Sequence, residues 1–140
     1  MARRKPEVVE LSHGLYDRFD AAADALPRVE EFTLRVPAVA GQEFGYILRI
    51  RHARGMTLQF EIDHPRVPDA AGVVMAPFRG ELFIDSSDHR FFLGDALWEP
   101  LADMVGPWTL TTTLGGKQVA RRTFEVQRPD LPAWDEVEMQ

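Results

Sequence analysis

Residues 106–127 read GPWTLTTTLGGKQVARRTFEVQ, and this stretch decides the fold class. Trp108, Leu110, Thr112 and Leu114 fall on one side of a period-two alternation, and Thr109, Thr111 and Thr113 fall on the other. That is the signature of a half-buried strand. β-Branched threonine suits a pleated surface. Gly115-Gly116 then supplies two residues able to take positive φ, which a two-residue hairpin turn requires. The return strand runs from Lys117 to about Gln127, with Phe124 and Val126 inward. Arg121 and Arg122 straddle the two faces, and Val119 to Arg122 marks a bulge or an edge.

The same alternation recurs upstream. Phe44, Tyr46, Leu48 and Ile50 share one face, with Arg49 and Arg51 opposite. Met56, Leu58, Phe60 and Ile62 repeat the pattern, with Gln59 and Glu61 opposite. Ala53-Arg54-Gly55 lies between the two runs and reads as a short hairpin turn. Weaker strands are expected at Glu7–His13, Val29–Val36 (Phe32, Leu34 and Val36 inward), Glu81–Asp85 and Arg90–Leu93. Helix is confined to one short segment near residues 20–26, with Asp20 as N-cap and Pro27 as stop. About seven to eight short strands separated by Gly- and Pro-containing connections predict an all-β antiparallel sandwich. One domain is expected over residues 7–127, with residues 1–6 and 128–140 as flexible termini.

Composition narrows the function classes. The 140 residues contain no cysteine, which excludes disulfides, thiolate metal sites and a cysteine nucleophile. Net charge is −6. Duplex binding normally rests on a basic excess that neutralises phosphates, so no nucleic-acid partner is expected. The basic cluster Arg3-Arg4-Lys5 reads as a solvated end. No apolar run approaches membrane-spanning length, and Pro6, Glu7 and Glu10 stand where a signal peptide would carry its apolar core. These features predict a cytoplasmic chain without a membrane partner.

No catalytic motif emerges. Phosphate-binding glycine loops are absent, and no cofactor is expected. The run Asp85-Ser86-Ser87-Asp88-His89 comes nearest to a metal site, through Asp85, Asp88 and His89. Asp and Ser are also standard turn formers, and that reading takes precedence, so no metal is assigned. Ser86, His89 and Asp85 include all three types of a hydrolytic triad, but without a nucleophile elbow. Glu30-Glu31 project to opposite strand faces and cannot cooperate.

His64 precedes Pro65, which holds it extended. It stands either to face a pocket or to cap the strand it ends. The segment His64–Arg79 carries three prolines and the apolar run Val73-Val74-Met75, and reads as a long loop. Phe91 and Phe92 point to opposite faces, so one ring is expected at the surface. His64, Val74, Phe92 and Tyr16 are therefore the candidate binding residues, for a protein partner or a second copy of the chain. The competing reading is a small hydrolase or metal-dependent ligand-binding protein using Asp63, His64, Asp85 and His89 at one end of the sandwich.

Several pieces in order resemble a bacterial family, domain of unknown function 3859. They are His13-Gly14-Leu15-Tyr16, Val36-Pro37, Gly41-Gln42-Glu43-Phe44-Gly45-Tyr46, His64-Pro65, Trp98-Glu99, and Gly106-Pro107-Trp108-Thr109 leading to Thr123-Phe124-Glu125-Val126. The likeness spans roughly residues 8 to 127. It implies an immunoglobulin-like sandwich and no particular activity, and so no catalytic residue. Some members would be expected to begin with an export signal; the first residues of this sequence depart from that pattern, so a periplasmic role is not expected.

Overall fold

The computed structural model describes residues 4–17 and 25–129. Nine strands are present: β1 (Glu7–Tyr16), β2 (Val29–Glu31), β3 (Arg35–Pro37), β4 (Glu43–Arg51), β5 (Thr57–Asp63), β6 (Phe78–Phe83), β7 (Asp88–Ala96), β8 (Gly106–Leu114) and β9 (Lys117–Gln127). A single 3₁₀ turn, Leu101–Met104, precedes β8. The strands form two sheets, ordered β2-β1-β4-β7 and β3-β9-β8-β5-β6. All pairings are antiparallel except β3 with β9. Most of the helix expected near residues 20–26 lies outside the described residues, and Ala25 and Leu26 are not helical. Among the described residues no helix is long and apolar enough to cross a membrane.

The β8–β9 hairpin forms as its sequence dictates, with Gly115 at φ 58° and Gly116 at φ 79°. Trp108, Leu110, Thr112 and Leu114 are all buried. The bulge falls at Val119: Thr112 faces Ala120, and Thr113 faces Gln118. The inward-facing residues of β4 and β5 do join the core, as their alternation predicts.

The connection between those two strands corrects the sequence reading. β4 and β5 are not a hairpin; they belong to different sheets. Ala53 is buried, His52 takes φ 60°, and the His52 amide bonds to the Ser87 carbonyl at 2.9 Å. The chain thus arches over one end of the sandwich, so that both apolar faces point at each other. A hairpin would have left them side by side in one sheet.

Val29–Val36 is likewise not one strand. It splits into β2 in the first sheet and β3 in the second. Phe32 and Leu34 lie at the crossover and are exposed; only Val36 joins the core. The remaining weak strands exist with moved limits: β1 runs on to Tyr16, β6 begins at Phe78, and β7 extends from Asp88 to Ala96.

Two polar contacts tie the sheets together. The Tyr46 hydroxyl lies 2.6 Å from the Thr112 hydroxyl inside the core. Burial pushes the Tyr46 phenol up to about 12, so it remains a neutral hydrogen-bonding group. At the flank, Arg122 of β9 donates to both oxygens of Glu10 of β1, at 2.9 and 2.6 Å. His13 Nδ1 stands 3.3 Å from the same carboxylate. Burial works against the Glu10 charge, but the hydrogen bonds and charge of Arg122, aided by His13, outweigh it and lower its pKa.

A carboxylate pKa depressed on folding stabilises the fold above its unfolded value, 4.5 here. That contribution disappears as pH falls through the folded value. Glu10→Gln is therefore expected to lower the melting temperature at pH 7, by an amount that shrinks as the pH falls below 4.5 and the Glu10 carboxylate takes up its proton. Thermal melts of both proteins from pH 7 to pH 3 check this. A difference that persists unchanged at acid pH would contradict the assignment.

Candidate functional site

β5 ends at Asp63, and the chain then leaves the second sheet into residues 64–77. Three prolines keep this segment out of the ladder, yet it carries several internal hydrogen bonds. The Asp69 carboxylate accepts from the amides of Ala71 and Val73 at 2.8 and 3.0 Å, the usual local work of a turn aspartate. The Asp69 amide donates to the Val73 carbonyl, and the Met75 amide to the Val67 carbonyl, each at 2.8 Å. Pro68 and Val74 form a bridge. Val67 is buried and anchors the base to the core.

His64 closes the loop. Its Nδ1 lies 2.7 Å from the Pro65 carbonyl and its Nε2 lies 3.0 Å from the Ala76 carbonyl. The ring also packs on Trp108 at 5.6 Å between centroids. Trp98 meets Trp108 edge-on at 6.2 Å. The indole N–H of Trp108 donates to the Met104 carbonyl at 2.8 Å. Asp95 shares this end, and burial raises its pKa; its carboxylate accepts from the Ala96 amide at 2.8 Å.

The product of this construction is a braced loop with an apolar tip. Val73 and Val74 are 63% and 45% exposed. The sequence marks the apolar run but not its outward aim, which follows from the Asp69 turn and the His64 closure.

The other candidates lie elsewhere. Phe92 is half-buried on the outer face of the first sheet, where the Tyr16 ring meets it edge-on at 5.1 Å. Tyr16 is only 2% exposed, and its hydroxyl is 2.7 Å from Ser12 Oγ. Tyr16 therefore braces Phe92 from beneath.

Asp63 and His64 sit at one end of the sandwich, while Asp85, Ser86, Asp88 and His89 sit at the other, beside the 52–56 arch. β7, nine residues long, separates these ends by roughly 25 Å at about 3.3 Å per residue. The constellation Asp63, His64, Asp85 and His89 is thus not assembled, and the hydrolase reading loses its geometry. Within the turn, Ser86 donates to the Asp88 carbonyl at 2.9 Å. Arg49 donates to both Asp88 oxygens at 3.0 and 2.7 Å, holding that carboxyl below the usual range. Among the described residues, no three His, Asp or Glu side chains are grouped to hold a metal ion.

Comparison with known proteins agrees with this architecture. The family model described as "Domain of unknown function (DUF3859)" matches residues 4–126. A crystal structure described as an immunoglobulin-like protein from Pseudomonas aeruginosa superposes with a TM-score of 0.74. It covers 91% of this chain and 100% of its own, at 18% identity. At that identity the likeness shows the fold: an immunoglobulin-like sandwich. No curated protein matches the sequence.

Proposed function

The chain belongs to the DUF3859 family, and from that premise we propose that it is a non-enzymatic recognition domain whose contact surface is the tip of the 64–77 loop. The observation that carries the proposal is the pairing of rigidity with exposure. A loop braced by Asp69 and His64 presents Val73 and Val74 to solvent. Ordering a loop on binding costs conformational entropy, and a loop already ordered avoids that cost. Recognition loops carried on a rigid sandwich are a common use of this architecture.

A net charge of −6 and an apolar tip favour a protein partner over nucleic acid or membrane. The absence of cysteine suits a reducing compartment, and the proposal places the domain in the cytoplasm.

Val74→Asp is expected to abolish partner binding and to leave the melting temperature within about 2 °C of the wild type, as exposed substitutions usually do. Calorimetry, with affinity capture of both proteins from the cells that make them, reads the two quantities. Loss of stability in step with loss of binding would make Val74 a packing residue and overturn the proposal.

A further inference from the structure

β6 is one of the two edge strands of the second sheet, opposite β3. Its residues Phe78-Arg79-Gly80-Glu81-Leu82-Phe83 are open to solvent or only half-buried, and Phe78 and Phe83 are 58% and 62% exposed. Bare edges of this kind are templates for pairing. The Ile84 amide donates to the Met56 carbonyl, and the Ile84 carbonyl accepts from the Gly55 amide, so the backbone groups of Ile84 turn toward β5. β6 pairs with β5 without a register shift. Alternation then turns the amides and carbonyls of Arg79, Glu81 and Phe83 toward the free edge.

The sequence of this edge is self-complementary. Pairing across a two-fold axis requires antiparallel copies with matching faces. Centring the axis on Gly80 sets Arg79 of each copy opposite Glu81 of the other on the outer face. The same register sets Phe78 opposite Leu82 on the inner face and Gly80 opposite Gly80. Phe60 lies over Gly80, where a Cβ would strike its ring, and it touches Phe78 at 6.2 Å between centroids; each copy therefore adds an apolar strip beneath the joint. Moving the axis one step along, to Glu81, would set two glutamates face to face. Moving it to Arg79 would set two arginines face to face. Charge thus selects one register out of the three. Pro77, which has no N–H, ends the ladder opposite Phe83.

We propose that β6 pairs with β6 of a second copy across a two-fold axis at Gly80, joining two five-stranded sheets into one. This surface is separate from the loop tip, and the inference does not rest on the function proposed above.

Light scattering and sedimentation equilibrium of the full chain provide the test. The wild type is expected to move from 15.9 kDa to twice that mass in the micromolar range. Arg79→Glu and Glu81→Arg each place like charges across the axis, and each is expected to weaken the dimer by about tenfold or more. The double variant Arg79→Glu/Glu81→Arg reverses both charges together and is expected to restore it. Val74→Asp should leave the dimer intact. A wild type that stays monomeric at millimolar concentration overturns the proposal. A dimer indifferent to the single reversals, or a double variant as weak as the singles, overturns it equally.

Discussion

Trp108→Ala is expected to lower the unfolding free energy by about 3–5 kcal/mol. The indole is wholly buried and sits where both sheets and the loop end converge. Phe44 of the first sheet meets it edge-on at 5.5 Å, and His64 and Trp98 cover its other sides. Its N–H holds the Met104 carbonyl at the close of the 3₁₀ turn. Removing the ring leaves a cavity and also frees a buried carbonyl of its partner. For a domain whose whole stability is on the order of 5–15 kcal/mol, the loss decides whether it folds when warm. Urea denaturation measures it, and a cost below about 1 kcal/mol would contradict this packing. Because Trp108 supports His64, the variant is also expected to loosen the 64–77 loop. Faster amide exchange at Val67 and Met75, whose amides bond within that loop, would report it.

Gly45→Ala is expected to cost about 2–6 kcal/mol, through two additive causes. Gly14, Gly45 and Gly94 are direct neighbours across β1, β4 and β7, forming a lane without side chains across the first sheet. Gly45 takes φ +155°, and a Cβ there would collide with the Leu93 carbonyl oxygen and the Gly94 backbone. The ladder would have to part between β4 and β7. Gly41 is the natural control: it has φ +84° but nothing within 4 Å of a built Cβ, so Gly41→Ala should cost only about 1 kcal/mol. Chemical denaturation of both variants separates collision from backbone strain. Equal losses would mean that the lane is not tightly paired.

The elements most legible in the sequence were those whose two signals agree. In β8–β9, period-two burial and a Gly-Gly turn point to the same hairpin, and it forms. β1 shows what breaks legibility. Its extra residue, Leu11, between Glu10 opposite Leu48 and Ser12 opposite Ile47, reverses which positions face inward, so one alternation never runs its length. The arch at Ala53-Arg54-Gly55 misleads because turn chemistry is local, whereas sheet membership depends on which faces the two strands must bury. The split of Val29–Val36 has the same cause.

The candidate site was legible in parts. His64 before Pro65 could be singled out by its backbone restriction, and Val74 by its apolar run among prolines. That Val74 points outward depends on bonds from Asp69 that no periodicity encodes. That Tyr16 is covered follows from its contact with Phe92 across two strands, a relation set by topology. The separation of His64 from His89 likewise waits on strand order.

The most direct test of the recognition role is a photoreactive residue in place of Val74, irradiated in the cells that make the protein. Lys117, exposed at the turn of the opposite end, carries the same group as control. The expected result is a discrete adduct with another protein from position 74 and none from position 117. No adduct from position 74, or the same adducts from both positions, would contradict a recognition surface at the loop tip.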